Sequence, residues 1–416
     1  MKIAPGTPLN VSLGWDIDDF QPVGKLAYRD RIAYFEFDDA FLRAGLELSP
    51  VHHETSVELQ RPYKEDVFEG LHGYFHDSLP DGWGRLLVDR RARQLGVEPT
   101  TLTPLDRLAC VGSNGIGALC YTPSIEIWES GDNELDLGKL AADARLVLEG
   151  DISEVLPTLG QAGGSPGGAR PKALIALSDH GHAVHGIDEA PEGYDHYLVK
   201  FPGQGDPQDI AAIEMAYAMM AKEAGIIMPE TKLLEGGDGG LYFAARRFDR
   251  DGTRRVHVHT ASGLLYSDIR IPALDYKDLI LLTRNLTRDQ RECNAMFALA
   301  VFNVLSHNRD DHARQFSFIM ARDGLWRMAP AYDLTWSSGP GGEHSTSVLG
   351  HGKNITRTHL IELSKTTDMK ERDAMRVIER VETTVGEWIN FANEYGVSAK
   401  SSQIIAVALA KVRLLA

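Results

Sequence analysis

The sequence predicts an α/β (α+β) chain in three parts: a small N-terminal α+β domain over residues 1–125, a strand-rich lobe over 126–255 and a helical lobe over 256–416. Three observations predict it. Residues 23–42, VGKLAYRDRIAYFEFDDAFL, alternate apolar and polar positions, the period of a half-buried strand pair. A glycine-rich segment over Gly160–Lys172 precedes two strand-like runs and a helix-like run. Beyond about residue 272 apolar positions recur at helical spacing, and LTRDQRECNAMFALAVFNVLS is the longest such run.

The elements follow in order. The first two strands meet in a tight turn at Arg29-Asp30. GLHGYFHDSLPDGWGRLLVDRRARQLG reads as a turn and a helix, capped by Asp81 or Gly82 and closed at Gly96. PLDRLACVGSNGIGALCYTP continues as a short helix, a glycine turn and a strand, and Trp83 is expected to be structural. Residues 126–158 are acidic and helical and read as a connecting helix. ALIALS and HYLVKFPG are strands, and IAAIEMAYAMMAKEAG is an amphipathic helix ending at Gly225. ETKLLEG, LYFAARRFDR and RRVHVHT are strands, and the tail from Arg357 is helical.

Composition narrows the function. The chain has 416 residues, 43% of them hydrophobic, enough for two or three domains with large cores. With 43 Lys and Arg against 59 Asp and Glu, the net charge is −16. That argues against a nucleic-acid-binding body, which needs clustered cations, and suits docking onto a small basic partner. Cys110, Cys120 and Cys293 form no C-x-x-C motif and read as reduced. The N-terminus MKIAPGTPLNVSLGW lacks the apolar run of a signal peptide, and no stretch of 18 apolar residues marks a transmembrane helix. The expectation is a cytoplasmic protein with no membrane contact.

The chemistry concentrates in SHNRDDHARQFSFIM (Ser306–Met320) and MAPAYDL (Met328–Leu334). Asp310, an amide five residues later at Gln315 and a second carboxylate at Asp333 have the layout of a phosphoryl-transfer site. One Asp orients the acceptor hydroxyl, while the amide and the later Asp bind metal. The γ-phosphoryl group and Mg²⁺ carry dense charge, so oxygen ligands must converge from neighbouring segments. His312 either orients this loop or touches a phosphate, and His307 reads as structural. Lys200 sits in an apolar strand between Val199 and Phe201, where a buried ammonium needs a partner. Glu214 on the next helix is the candidate counter-charge, the logic of a kinase strand lysine and its helix glutamate. In the glycine-rich segment, Gly167 and Gly168 lack side chains and so leave backbone N–H groups free to approach phosphate oxygens. Ser165 lies among these glycines as a possible phospho-acceptor, where a phosphate would repel ATP. The segment fits neither a Walker loop nor G-x-G-x-x-G, and read alone it is equally a flexible linker.

The chain resembles the HipA family, serine/threonine kinase toxins of bacterial type II toxin–antitoxin modules. The stretches that carry the resemblance are VGKLAYRDRIAYFEF, DSLPDGWGRLLVDRRA, VGSNGIGAL, SPGGARPKALI, HYLVKFP, ARRFDR, NRDDHARQFSF and APAYDL, spread over residues 20–335. The resemblance implies a protein-kinase-like bilobal fold preceded by the small N-terminal domain. It implies ATP and Mg²⁺ as cofactors, Asp310 as catalytic base, Asp333 and Gln315 as metal ligands, and Lys200 on the nucleotide phosphates. It places Tyr332 and His312 near the nucleotide and makes Ser165 the autophosphorylated serine whose modification inactivates the enzyme. The implied partners are a protein substrate, with a translation component as one candidate, and a small helix-turn-helix antitoxin (HipB-like) through which alone DNA is contacted. The family usually carries Asn where this chain has Gln315, and often Lys at Arg314. Gln is longer by about one C–C bond, roughly 1.5 Å. Two rival expectations stand beside the toxin kinase: a catalytically weak homologue acting as an antitoxin-bound co-repressor, and a small-molecule kinase. A metal-dependent hydrolase using Asp310, His312 and Asp333 is a third.

Overall fold

The computed structural model describes the chain except residues 5, 81, 129–133, 151–158, 161–167, 169, 187–189 and 414–416. Ser165, Gly167 and the proposed cap Asp81 therefore lie outside the described residues.

Strands β1 (Leu9–Asp16), β2 (Asp19–Arg29), β3 (Ile32–Phe37) and β4 (Leu119–Thr122) form an antiparallel sheet in the order β3-β2-β1-β4. Leu9, Val11 and Leu13 alternate onto its buried face. The β2–β3 turn is centred on Asp30 and Arg31, one residue later than the sequence suggests. Both have positive φ, 52° and 65°, as a two-residue hairpin turn requires. Helix Gly82–Gln94 follows, stopping just before Gly96 at φ 73°, and Trp83 is buried in the core as expected. Helix Pro104–Val111 starts from a capping box between Thr103 and Asp106.

Helix Leu137–Glu149 begins at an Asp136 cap and ends at Gly150. It is not a bare connector: Leu140, Ala144 and Val147 join the core under the second sheet. That sheet contains β5 (Lys172–Ser178), β6 (Ala183–His185), β7 (Tyr194–Lys200), β8 (Thr231–Glu235) and β9 (Leu241–Arg246), in the order β6-β5-β7-β9-β8. Helix Ile210–Glu223 packs against it and ends before Gly225. This helix is buried on nearly every face rather than amphipathic. Ala211 and Ala218 pack on Phe243 of the sheet, while Ala212, Ala216 and Tyr217 enter the helical core. Its small residues let it sit between two layers.

The short hairpin β10 (Arg250–Asp251) and β11 (Arg254–Arg255) leads to β12 (His257–Thr260). A parallel pair joins β13 (Leu274–Asp275) to β16 (Thr346–Ser347), and β14 (Ser317–Met320) lies between β12 and β15 (Trp326–Met328). The remaining body is helical: Tyr276–Thr287, the buried Gln290–Leu305, then Arg357–Ser364, Glu371–Gly386, Trp388–Glu394 and Ala399–Arg413. Among the described residues, no helix is long and apolar enough to cross a membrane.

Candidate active site

β5 starts at Lys172 and β7 ends at Lys200, and the antiparallel register pairs these two lysines directly. Paired residues share a face, so two ammonium groups leave the same end of the sheet. The chain passes close over Lys172. Gly168 has φ 107°, a backbone state that favours glycine, and a Cβ there would lie 2.7 Å from Lys172 Nζ. Trp83 of the N-terminal domain ties this stretch down. Its backbone N–H donates to the Gly168 carbonyl and its indole N–H to the Lys172 carbonyl, each at 3.1 Å.

Lys200 Nζ lies 3.0 Å from Glu214 Oε2 and forms a second ion pair with Asp333 Oδ1. The other Glu214 oxygen accepts from Arg170 at 2.9 Å, and Arg170 also reaches Asp206 at 3.0 Å. Glu214 is only 3% exposed, and a carboxylate so buried persists because two cations hold it. Asp333 has φ 56°, an uncommon backbone state for a non-glycine residue. Its Oδ2 accepts the Gln315 side-chain amide at 2.9 Å.

The loop carrying Asp310 is anchored by its neighbour. Asp311 is fully buried and accepts from Tyr276 at 2.7 Å, His344 at 2.9 Å and the Ser345 backbone at 2.8 Å. With the backbone locked there, Asp310 is left exposed to solvent. His307, at φ 59°, is structural: its Nδ1 bonds the Ser337 carbonyl at 3.0 Å. His312 Nδ1 is buried without a partner among the described residues, and its Nε2 lies 3.5 Å from the Gln315 amide. Tyr332 donates its hydroxyl to the Arg314 carbonyl at 2.5 Å and meets Ser317 Oγ at 2.6 Å, so that hydroxyl braces the Ala313–Gln315 turn.

Electrostatics separates the carboxylates. Burial alone would raise Asp333, but the Lys200 and Lys172 ammonium groups hold it well below the usual range. Burial alone would lower Lys200, yet Asp333 and then Glu214 raise it to about 12. The protein crowding around Asp310 raises its carboxyl despite its contact with water. His312 opposes this rise, and Asp333 and Asp311 reinforce it. The site thus pairs a carboxylate held ionised with one nearer to neutrality, the separation that acid–base chemistry uses.

The structure brings Lys200, Glu214, Asp333, Gln315 and His312 into one connected group, with Gly168 alongside and Asp310 at its open edge. Sequence reasoning missed Arg170, Lys172 and Asp206, and the anchoring role of Asp311. The basic residues of GGARPK were the available signal for the first two.

Among the described residues, no three His, Cys, Asp or Glu side chains gather into a metal site. The donor set still fits Mg²⁺ in a phosphoryl-transfer site, which takes one or two protein oxygens and completes its shell with phosphate and water.

The HipA-like C-terminal domain family matches residues 164–389, and the HipA N-terminal domain family matches residues 17–122. A Haemophilus influenzae relative named "Putative kinase" is 28% identical over 191 residues, 42% of this chain and 53% of its own length. The chain thus spans about half the length of that curated relative. HipA in the Shewanella oneidensis MR-1 toxin–antitoxin complex of HipA, HipB and operator DNA superposes with a TM-score of 0.69. That match has 16% identity and covers 98% of this chain and 96% of that one. The Helicobacter pylori proinflammatory kinase CtkA gives a TM-score of 0.32 at 13% identity, over 51% of this chain and 92% of that one. With both domain families matched in order, and the C-terminal one covering more than half of the chain, this protein belongs to the HipA family.

Proposed function

We propose that this protein is an ATP- and Mg²⁺-dependent serine/threonine protein kinase of the HipA toxin type. One observation carries the reading: Lys200 is held between Glu214 and Asp333 at the end of the five-stranded sheet, and Asp310 lies near enough to Asp333 to feel its charge. This is the positioning that γ-phosphoryl transfer requires. Lys200, with Lys172 and Arg170 beside it, supplies cations for the nucleotide phosphates, and Glu214 orients Lys200. Gly168 carries no side chain beside Lys172, and the sequence gives Gly167 the same character. Asp333 and Gln315 would hold Mg²⁺, which when bound neutralises charge on the transferring group. Asp310 orients the acceptor hydroxyl and takes its proton late, and His312 Nδ1 is a buried polar atom without a partner among the described residues.

In the wider reading, Ser165 is the autophosphorylation site that switches the enzyme off. The substrate is a protein, with a translation component as one candidate, and the protein acts in the cytoplasm. The partner is a HipB-like helix-turn-helix antitoxin, through which operator DNA is contacted; the net charge of −16 supports indirect rather than direct DNA contact. Residues 1–125, 126–255 and 256–416 serve as N-terminal domain, nucleotide lobe and catalytic lobe.

A second reading has one observation in its favour. Gln315 already donates to Asp333, the proposed metal ligand, which favours a catalytically weak co-repressor. Nucleotide binding and turnover separate the two. The kinase reading expects thermal stabilisation by Mg·ATP, its loss in Lys200→Ala, and transfer of the γ-phosphoryl group to protein. Stabilisation without any transfer would favour the co-repressor.

A further inference from the structure

Asp77 belongs to the N-terminal domain, yet its side chain is buried against the catalytic lobe at 6% exposure. It accepts three hydrogen bonds there. Its Oδ2 takes His259 Nδ1 at 2.6 Å and the Thr260 backbone N–H at 2.8 Å, and its Oδ1 takes the Thr260 hydroxyl at 2.8 Å. The approach depends on paired glycines. A Cβ at Gly73 would collide with the Gly263 carbonyl, and one at Gly263 would lie 2.5 Å from Asp77 Oδ2. Gly73 N–H also donates to the Tyr266 hydroxyl at 3.2 Å.

Thr260 passes this constraint on. Its hydroxyl caps helix Ala261–Leu265 by accepting from Gly263 N at 3.0 Å. The next residue, Ala261, donates its N–H to the Phe316 carbonyl at 2.7 Å, and Thr260 pairs with Ser317 across β12 and β14. Ser317 Oγ meets the Tyr332 hydroxyl, which in turn holds the Arg314 carbonyl. Gln315 and Asp333 are the chain neighbours of those two braced residues. A second strut runs in parallel: Arg314 contacts His76 Nδ1 at 3.0 Å, and His76 stacks on Phe68 with ring centroids 4.1 Å apart.

We infer that Asp77 is a positioning residue, through which the N-terminal domain holds the Ala313–Gln315 turn and Asp333 in register. The inference rests on the phosphoryl-transfer reading for its consequence, but the physical coupling is measurable without it. Asp77 touches none of the reacting groups; it acts through Thr260, Ser317 and Tyr332. The N-terminal domain is then part of the catalytic apparatus rather than an appendage.

The test compares wild type, Asp77→Asn, Asp77→Ala and Asp310→Asn in the full chain. Amide hydrogen exchange reports on residues 313–333, with helix Glu371–Gly386 as the internal reference. Phosphoryl transfer from Mg·ATP reports on function. Asp77→Ala is expected to speed exchange in 313–333 at least tenfold while the reference helix stays unchanged, and to lower kcat at least tenfold with a smaller effect on KM for ATP. Asp77→Asn preserves most of the hydrogen-bond geometry and is expected to stay within about threefold of wild type in both assays. Uniformly faster exchange across the chain, or unchanged exchange in 313–333, would overturn the inference. Absence of Asp310-dependent transfer in the wild type would count against the kinase reading, and the exchange result would still decide whether Asp77 holds the segment.

Discussion

Gln315 donates its side-chain amide to Asp333 across 2.9 Å, joining two residues 18 positions apart. The contact occupies one carboxylate oxygen of Asp333 while Lys200 occupies the other. A divalent metal bound at Asp333 would therefore compete with two internal donors. Shortening the amide in Gln315→Asn withdraws it by about 1.5 Å and releases that oxygen. Gln315→Asn is expected to lower the Mg²⁺ concentration for half-maximal ATP turnover by on the order of tenfold, ~1.4 kcal/mol. A metal titration of both forms checks this; an unchanged or raised requirement would show that the Gln315–Asp333 contact does not hinder metal binding.

Lys200 and Glu214 are interdependent. Glu214→Gln keeps the shape but removes one of the two charges that hold the ammonium in place. The expected outcome is weaker nucleotide binding, about tenfold in Kd, with a smaller effect on fold stability because Arg170 retains its Asp206 partner. Calorimetric titration with ATP measures the first quantity and thermal unfolding the second. Equal loss of both would identify the pair as structural.

Activity should rise with pH through the titration of Asp310. A general base works ionised, and the raised carboxyl of Asp310 remains protonated above the ordinary value of 3.8. The acid limb of the kcat profile is therefore expected at a higher pH than an ordinary aspartate would give, and should vanish in the residual activity of Asp310→Asn. An acid limb that is unchanged in Asp310→Asn would contradict the placement of Asp310.

Stability carries a separate pH signature. Burial lowers His53 to about 4 and His257 to about 3, so both are neutral in the folded protein. Their unfolded values are near 6.5, so the unfolded chain binds more protons below that pH. Their contribution is complete above 6.5 and is lost as pH falls from 6.5 towards 4 and then 3. Each contributes up to about 1.4 kcal/mol per pH unit inside its window. Denaturant unfolding at pH 7.5 and 5 should show the loss, and His257→Gln should reduce it.

Asp249 is buried between Arg247 at 2.7 Å and Arg250 at 2.8 Å and accepts the Gly117 N–H of the N-terminal domain at 2.8 Å. Asp249→Asn leaves two buried guanidinium groups without their carboxylate. The expected destabilisation is about 3–5 kcal/mol, read from equilibrium unfolding. A change below about 1 kcal/mol would mean that water or another carboxylate reaches the arginines.

Local pattern made much of this protein legible. Lys200 announced itself as a lysine inside an apolar strand, and Glu214 as the acid on the helix that follows. The contact of Gln315 with Asp333 was readable by spacing, because one loop and one adjoining turn carry both. What stayed hidden depends on long-range register. Nothing local shows that Lys172 will face Lys200, because that follows from how β5 and β7 align. Asp311 looked like half of an acidic pair, and its partners Tyr276 and His344 are 35 and 33 residues away. Helix Ile210–Glu223 read as amphipathic because its second burial face exists only once the helical lobe packs on it. The Asp30–Arg31 turn was misplaced by one residue because neither position carries the usual glycine or asparagine.

The most direct test is incubation of the purified protein with Mg²⁺ and γ-labelled ATP, beside Asp310→Asn and Ser165→Ala. A kinase that modifies its own loop gives label on the wild-type protein and loss of that label in both variants. Label that persists in Asp310→Asn, or no label in the wild type despite bound nucleotide, would contradict that reading.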